Sequence, residues 1–333
     1  MLTLPTVDHI AKKIISLGRG SHIFIIDVSR AFRHIKIDPK DYVYLGLKNG
    51  DYFLDSSLPF GFRHGTNFFQ RLSDSIRYMA SHNHGCDVIN YVDDICGFSL
   101  PSESHKKFLL VKKFIENLGL DIFLKKLVPP STKTSCLGVV FDTTNFTMSV
   151  PEERLAKIRY VHHGCIEKNC TKKQLQSLLG SLLYVSKCIK VARIFLSRML
   201  NTLRNHFSDN IITLDEEFKK DLNWFAKLLP KFNGVSFFEK RPIKATIELD
   251  ASLTGLGARF DQFVYALPLS GALCDMGIVH LEMINNLLAL RFWGKAWKNS
   301  KVIIKCDNQA VVLVLTSGRS RDMLLCTIAR NIL

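Results

Sequence analysis

The chain opens on a helical pattern and passes quickly into alternation. Its spacing predicts a short helix from Val7 to Leu17, broken at Gly18 and Gly20. A β-rich stretch follows: S-H-I-F-I-I-D-V (Ser21–Val28), then Y-V-Y-L-G-L (Tyr42–Leu47). K-N-G-D (Lys48–Asp51) reads as a hairpin turn, because Asn-Gly accepts positive φ at low cost. From 64 to 83, Phe68, Phe69, Leu72, Ile76 and Met79 lie near helical spacing. V-I-N-Y-V and I-C-G-F read as two strands joined tightly through Asp93 and Asp94. Residues 104–118 read as helix, and S-C-L-G-V-V-F-D and F-T-M-S-V as short strands.

Pro151 opens a different regime, mostly helical to about Leu229. T-K-K-Q (Thr171–Gln174) is a capping box ahead of Leu175, Leu178, Leu179, Leu182 and Leu183. The helix after them carries Lys187, Lys190, Arg193, Arg198 and Arg204, some on one face, since eleven residues make about three turns. A Pro/Lys/Gly-rich link (Pro230 to Pro242) leads to a second β-rich unit. It holds the strand I-E-L-D, then T-G-L-G, a helix from about His280 to Trp297, and the strand K-V-I-I-K-C-D (Lys301–Asp307). The pattern predicts an α+β chain in three parts, 1–150, 151–235 and 242–333.

Composition narrows the class. Of 333 residues, 47% are hydrophobic and 23% charged, which excludes a disordered chain. No apolar run is long enough to span a bilayer, and the N-terminus lacks the basic-then-apolar order of a signal peptide. Nine cysteines without a disulfide framework suit a reduced, intracellular protein, cytoplasmic or nuclear. The net charge of +15 suits a polyanionic partner such as nucleic acid. It is uneven: residues 151–210 hold eleven Lys and Arg against four Asp and Glu.

Adjacent aspartates inside an apolar run raise a question of what they face. Alone, Asp93-Asp94 in Y-V-D-D suits a polar hairpin turn. Asp27, however, ends the run I-F-I-I-D and can be aimed at the rim of the same sheet. Converging carboxylates repel unless a cation lies between them. Hard oxygen ligands favour Mg²⁺, with Mn²⁺ as an alternative, and two such ions can serve in-line phosphoryl transfer.

D-V-S-R-A-F, L-P-F-G-F, Y-V-D-D, G-L-D-I-F-L-K-K and C-L-G-V-V-F-D occur in that order. With these motifs the chain resembles the reverse transcriptases of retroelements. L-K-K-L-V-P-P-S-T (Leu124–Thr132) and S-V-P-E-E-R-L (Ser149–Leu155) resemble the DIRS-like, tyrosine-recombinase-bearing retrotransposons most. The resemblance runs from about Leu4 to the end of the chain. It implies a polymerase palm, an antiparallel sheet with packed helices, with partial fingers. A helical thumb-like region and a partial ribonuclease H-like α/β domain would follow.

By that resemblance Asp27 and Asp93 are the principal metal ligands, and Asp94 completes the motif in a lesser role. Phe32 matches the aromatic residue under the incoming sugar, where a ring excludes a 2′-hydroxyl; ordinary core packing is its other reading. Leu58, Pro59 and Gly61 match the loop that lets template and nucleotide approach the backbone. Phe60 stands where retroviral enzymes usually carry Gln, which removes a polar contact to the nucleotide. Lys126 matches a basic residue behind the catalytic hairpin. It is either a partner for the triphosphate or pyrophosphate or a solvated lysine. The basic helices after Pro151 would track the phosphates of an RNA or DNA template–primer duplex. The implied substrates are deoxynucleoside triphosphates, and the implied partners include other parts of a retroelement polyprotein.

A second constellation lies further on. Alternation puts Glu248 and Asp250 on one face of a strand. Glu282 falls in the first turn of the predicted helix and Asp307 at the end of the next strand. Asp250, Glu282 and Asp307 resemble a ribonuclease H site, for which two-metal hydrolysis is implied. That fold usually takes a further late carboxylate. Only Asp322 follows, unassigned, so the domain reads as truncated. His162, His163, Cys165 and Cys170 match no zinc spacing, His82 and His84 suit a solvated loop, and G-R-G (Gly18–Gly20) is a turn rather than a phosphate loop. Two rivals stand beside the polymerase. One is a degenerate or co-opted nucleic-acid-binding fragment, since the family's basic finger residues would fall before Met1 and no recombinase region follows. The other is a nuclease working at Asp250, Glu282 and Asp307.

Overall fold

H-I-F-I-I-D forms strand β1 (His22–Asp27), and five of its six residues are buried because both neighbouring positions in the sheet are filled. The structure is a computed structural model. It describes residues 4–49, 51–156, 158–159, 170–189, 192–205, 211–212, 214–232, 236–237, 243–298 and 300–332. They form two compact units, Met1–Ser149 and Val150–Leu333.

In the first unit α1 (Val7–Leu17) buries Val7, Ile10, Ala11 and Ile14, one helical face, and ends where Gly18 takes φ 96°. After β1 comes the hairpin β2 (Gly46–Asn49) and β3 (Asp51–Leu54), then α2 (Gly65–His84). The strands β4 (Asp87–Tyr91) and β5 (Asp94–Ser99) follow, then α3 (Ser104–Asn117) and β6 (Val128–Ser131). The sheet runs β4-β5-β1-β6, antiparallel throughout. Phe69 and Ile76 of α2 and Phe108, Val111 and Ile115 of α3 pack on Phe24, Ile26, Val88 and Ile95 of the sheet. Strands β7 (Lys133–Cys136), β8 (Val139–Asp142) and β9 (Thr147–Ser149) pair as a meander.

The expected strand over Tyr42–Leu47 is a correction. Pro39–Tyr44 is a 3₁₀ helix, because Asp38 accepts the Lys40 N–H at 3.1 Å and Pro39 fixes the first turn. The hairpin pairing begins only at Gly46. His82 and His84 likewise lie in the last turn of α2 rather than in a loop. His82 stacks on Tyr78, and Gly85 closes the helix at φ 59°.

The second unit begins with α4, helical at 152–156 and 158–159. Then come β10 (Cys170–Thr171), α5 (Lys172–Cys188), α6 (Ala192–Asn205), β11 (Ile211–Ile212), α7 (Glu216–Phe232) and β12 (Ser236–Phe237). The expected capping box starts α5: Thr171 Oγ1 accepts the Gln174 N–H, and Gln174 Oε1 accepts the Thr171 N–H at 2.9 Å. Next are β13 (Ile243–Ala251), β14 (Gly255–Phe260), β15 (Phe263–Pro268), α8 (Ile278–Trp293) and β16 (Lys301–Lys305), followed by α9 (Gln309–Ser317) and α10 (Met323–Ile332). This sheet runs β15-β14-β13-β16. The first three strands are antiparallel and β16 is parallel to β13, an arrangement that needs the crossover α8 supplies. The helix expected to reach Trp297 stops at Trp293 and tightens to 3₁₀ over Gly294–Trp297. No described helix is long and apolar enough to cross a membrane.

The row of basic residues expected on one helix divides. Lys187 belongs to the end of α5 and sits over the Tyr184 ring, and Lys190 lies outside the described residues. Arg198 is buried rather than presented to a ligand. Its guanidinium meets Glu217 at 2.7 Å and Asp221 at 3.6 Å, and Arg330 of α10 meets Asp221 at 3.0 Å. Asp221 thus ties α6, α7 and α10 together. Removing it leaves the Arg330 guanidinium without its carboxylate and Arg198 with Glu217 alone, so Asp221→Ala is expected to lower the unfolding free energy by about 3 kcal/mol. Urea titration followed by far-UV circular dichroism measures this. A loss under about 1 kcal/mol would mean the arginines find water instead.

Candidate active site

The site is built on the end of β1 and the hairpin β4–β5. Asp27 and Asp94 are Cα partners across the β1–β5 pair, and the Asp93 carbonyl accepts the Val28 N–H at 2.9 Å. The two strands expected to be neighbours are neighbours, and their register brings the three carboxylates together. Asp27 is buried, while Asp93 and Asp94 are half-buried.

The hairpin turns through Val92 at φ 55°, a costly conformation for a β-branched residue. Its support comes from α2. Gln70, fully buried, accepts the Val92 N–H on Oε1 at 2.8 Å and donates to Asp74 at 3.0 Å. Asn90 donates to Ser73 Oγ and to Asp74 Oδ1, so α2 holds the β4 side of the turn at two points, Asn90 and Val92. Sequence reading missed Gln70, Ser73 and Asn90. Their signal was present: 70 and 73 are polar positions on the face that also carries Phe69, Ile76 and Ala80.

The carboxylates are electrostatically crowded. Burial pushes the Asp94 carboxyl up to about 6, and the charges of Asp93 and Asp27 push the same way. Asp93 is raised by burial and then by Asp27. Lys126, at the end of a 3₁₀ turn (Leu124–Lys126), places Nζ 2.9 Å from Asp27 Oδ2, and that hydrogen bond and charge raise its pKa. It is therefore neither remote nor simply solvated: its ammonium sits on the carboxylate cluster itself. The Asp27 carbonyl also accepts the Phe123 N–H, which fixes the turn that delivers Lys126.

Phe32 lies in the 3₁₀ turn Ala31–His34, half-buried, with its ring 5.6 Å from Phe60 and 6.2 Å from Phe69. Phe60 is 71% exposed. Gly61 has φ 87° with open space where a Cβ would stand, so backbone conformation alone calls for glycine there. Leu58 is buried beneath this loop, and its N–H donates to the Ile35 carbonyl. Arg33 holds Asp55 with both carboxylate oxygens, which keeps the Asp55 carboxyl below its usual range and pins the loop to the Phe32 turn.

In the second unit Glu282 is buried, on the second turn of α8 rather than the first. Its Oε1 accepts the Ala251 N–H at 3.1 Å, which brings it against the end of β13, where exposed Asp250 lies. Glu282 and Asp307 each bring a ligand atom into one cluster less than 4.8 Å across, and Cys306 brings a third. The Glu282 carboxyl is raised by burial and by the charges of Asp307 and Asp250, so the three expected carboxylates sense one another. Asp307 stands two residues beyond β16. Cys306 is an addition that sequence reading missed, its thiol donating toward Glu282 Oε2 at 3.8 Å. Glu248 shares the Asp250 face but pairs with Lys305 at 2.9 Å. Asp322 has other work: it caps α10 through the Leu324 and Leu325 N–H groups and pairs with His280. His162, His163 and Cys165 lie outside the described residues, and Cys170 is in β10.

No protein-family model matches the sequence, and no curated protein matches it. Solved structures do. A foamy viral protease-reverse transcriptase in complex with double-stranded DNA aligns with 99% of this chain at a TM-score of 0.57 and 16% identity. Another foamy viral protease-reverse transcriptase complex with double-stranded DNA aligns with 91% at 0.55 and 16% identity. A complex with an RNA/DNA hybrid aligns with 93% at 0.53 and 17% identity. The chain spans 57%, 62% and 42% of those proteins, less than two thirds of each. At such identities the likeness concerns architecture, and the chain has a reverse-transcriptase-like fold of mixed α and β structure.

Proposed function

We propose that this chain is the reverse-transcriptase region of a retroelement polyprotein, DIRS-like by its motif text, and that it extends a primer with deoxynucleotides on an RNA or DNA template. The observation that carries the reading is the convergence of Asp27, Asp93 and Asp94 at the end of the inner strands β1 and β5. Asp93 and Asp94 are raised in pKa by burial and by the neighbouring carboxylates, and the Lys126 ammonium pairs with Asp27. That donor set fits hard divalent cations: all oxygen, acidic and partly open to solvent. Mg²⁺ bound there would supply charge stabilisation for phosphoryl transfer.

The chain's own residues have separable roles. Asp27 and Asp93 are the ligands, with Asp94 beside them. Lys126 neutralises Asp27 in the absence of substrate and is within reach of a triphosphate. Phe32, backed by Phe69, forms a wall under the sugar, and Gly61 leaves the backbone bare for a base or template strand. Phe60 supplies an apolar surface in place of an amide. Primer extension on a homopolymer RNA template with Mg²⁺ tests this, wild type against Asp93→Asn. Extension by the wild type alone is the expected result. Its absence from both would make the chain a binding fragment that kept the fold and lost the reaction.

The second unit's sheet, with β16 parallel to β13 across α8, supports a ribonuclease H-like reading in which Asp250, Glu282 and Asp307 would bind the cations for hydrolysis of the RNA strand; Glu282 and Asp307 share one ligand cluster with Cys306, and Asp250 stands outside it at the end of β13. Cleavage of a labelled RNA–DNA hybrid is expected to survive Asp93→Asn and to fall at least about 100-fold with Asp250→Asn. Equal cleavage by both variants would remove that assignment.

A further inference from the structure

We propose that Glu282, Cys306 and Asp307 form a binding site for a thiophilic divalent cation of the zinc class, with the Cys306 sulfur as a ligand. The ribonuclease H resemblance accounts for the two carboxylates and leaves the thiol without a role. Glu282 and Asp307 serve both readings, so a zinc-class ion and the hydrolytic cations compete for them. The binding itself does not rest on the nuclease reading.

Geometry selects the ion. Among the described residues this is the one group of His, Cys, Asp or Glu side chains that brings three ligand atoms within 4.8 Å of one another. Cys306 Sγ lies 3.8 Å from Glu282 Oε2. A tetrahedral zinc, with Zn–S about 2.3 Å and Zn–O about 2.0 Å, holds sulfur and oxygen about 3.5 Å apart. The pair is thus within about 0.3 Å of ligating distance before any ion arrives. Mg²⁺ takes oxygen ligands in octahedral geometry and gains little from a soft sulfur. Three protein ligands leave the fourth tetrahedral position to water.

A buried and poorly satisfied oxygen points the same way. Glu282 is 2% exposed, and its two oxygens are treated unequally. Oε1 accepts the Ala251 N–H at 3.1 Å. Oε2 faces only the thiol, a weak donor at long range. The thiol's other contact, to the Asn308 carbonyl, is longer still at 3.9 Å. A buried carboxylate oxygen so weakly paired costs desolvation energy, which a cation offsets. Local structure aims the other two groups. Neighbouring residues in a strand face opposite ways, but β16 ends at Lys305, and Asn308 already caps α9 through the Ala310 and Val311 N–H groups. Cys306 and Asp307 lie between these fixed points, free of strand alternation, and so can turn to one ion. Cys306 is half-buried and Asp307 exposed, which leaves the ion a way in. On binding, the thiol proton passes to solvent and the thiolate is the ligand.

The test titrates Cd²⁺, a zinc-class probe, into the reduced, metal-free full chain and reads the ultraviolet charge-transfer absorbance of a cadmium–thiolate bond. Wild type should develop a saturating band that excess Zn²⁺ abolishes and the same excess of Mg²⁺ does not. Cys306→Ser should lose the band. Its affinity should fall by at least the about tenfold that removing a mere supporting group costs a metal site. Asp307→Asn, at an exposed position, should bind more weakly yet keep the band, because it removes an oxygen ligand and spares the sulfur. It also keeps the test decisive should Cys306→Ser fail to melt cooperatively. Cys165→Ser/Cys170→Ser, which removes the other closely spaced thiols, should keep the band. A wild type without a band, a band that persists in Cys306→Ser, one lost in Cys165→Ser/Cys170→Ser, or unchanged affinity in Asp307→Asn would overturn the proposal. The nuclease reading fails separately: a protein that cleaves no RNA–DNA hybrid but binds Cd²⁺ through Cys306 leaves the metal site standing.

Discussion

Gly97→Ala is expected to destabilise the first unit by about 4 kcal/mol or more, enough to unfold most small domains in part. Gly97 and Phe24 are Cα partners across β5 and β1, and the Phe24 ring lies over the glycine. A Cβ at position 97 would stand 1.9 Å from one ring carbon and 2.2 and 2.5 Å from two others. Phe24 cannot swing clear. Its ring is 1% exposed and packs edge-on against Phe108 with centroids 5.5 Å apart. Relief therefore requires a shift of β5, whose first residue is Asp94. Shrinking the partner tests the cause. Gly97→Ala combined with Phe24→Leu should recover part of the loss, so that the double variant is more stable than the two single costs together allow, by about 2 kcal/mol. Urea unfolding of the four proteins gives that coupling. A Gly97→Ala protein within about 1 kcal/mol of wild type would show that the strand pair yields, and that glycine there serves something other than packing.

Gly97 illustrates where sequence reading stopped. The strand I-C-G-F was legible from its apolar character, but the reason for its glycine lies on another strand, far away in sequence. The same division holds across the site. Asp27, Asp93 and Asp94 were legible because they interrupt apolar runs and recur with ordered motifs. The helix α1 and the capping box of α5 were legible because their signals are local. The 3₁₀ helix at Pro39–Tyr44 was not: its β-branched and aromatic residues suggested a strand, and Asp38-Pro39 outweighed them. Gln70 was hidden because a polar residue on an apolar face reads as noise until its acceptor, the Val92 N–H, is placed beside it. Charge counting misread Arg198, since a guanidinium paired with Asp221 and Glu217 contributes nothing to an outward field. Arg193 and Arg204, from the same row of basic residues, are half-buried and exposed respectively.

Asp93→Asn and Asp94→Asn are expected to act on activity and stability in opposite directions. If Asp93 is a ligand, its loss removes charge stabilisation worth several kcal/mol at the transition state, so primer extension should drop about 10³-fold or more. Without bound cation the same carboxylates burden the fold. In the folded chain the Asp94 carboxyl is pushed up to about 6 by burial and by the charges of Asp93 and Asp27, with Lys126 opposing. A carboxyl whose folded pKa is raised binds its proton more tightly in the folded state. Its stabilising contribution is complete below about pH 4 and is lost as pH rises through about 6. In EDTA, then, Asp94→Asn and wild type should unfold at the same urea concentration near pH 4. The variant should pull ahead through pH 5 to 6 and lead by about 2 kcal/mol above pH 7. Millimolar Mg²⁺ should narrow the lead by stabilising the wild type, because a cation that binds only the folded state shifts unfolding by mass action. A variant less stable than wild type at pH 7 would mean that Asp94 is satisfied within the protein and needs no cation. Its place beside Asp27 and Asp93 would then be structural. The predicted pattern, activity lost with Asp93→Asn and stability gained with Asp94→Asn, is that of a site whose acidity is kept at the expense of the fold.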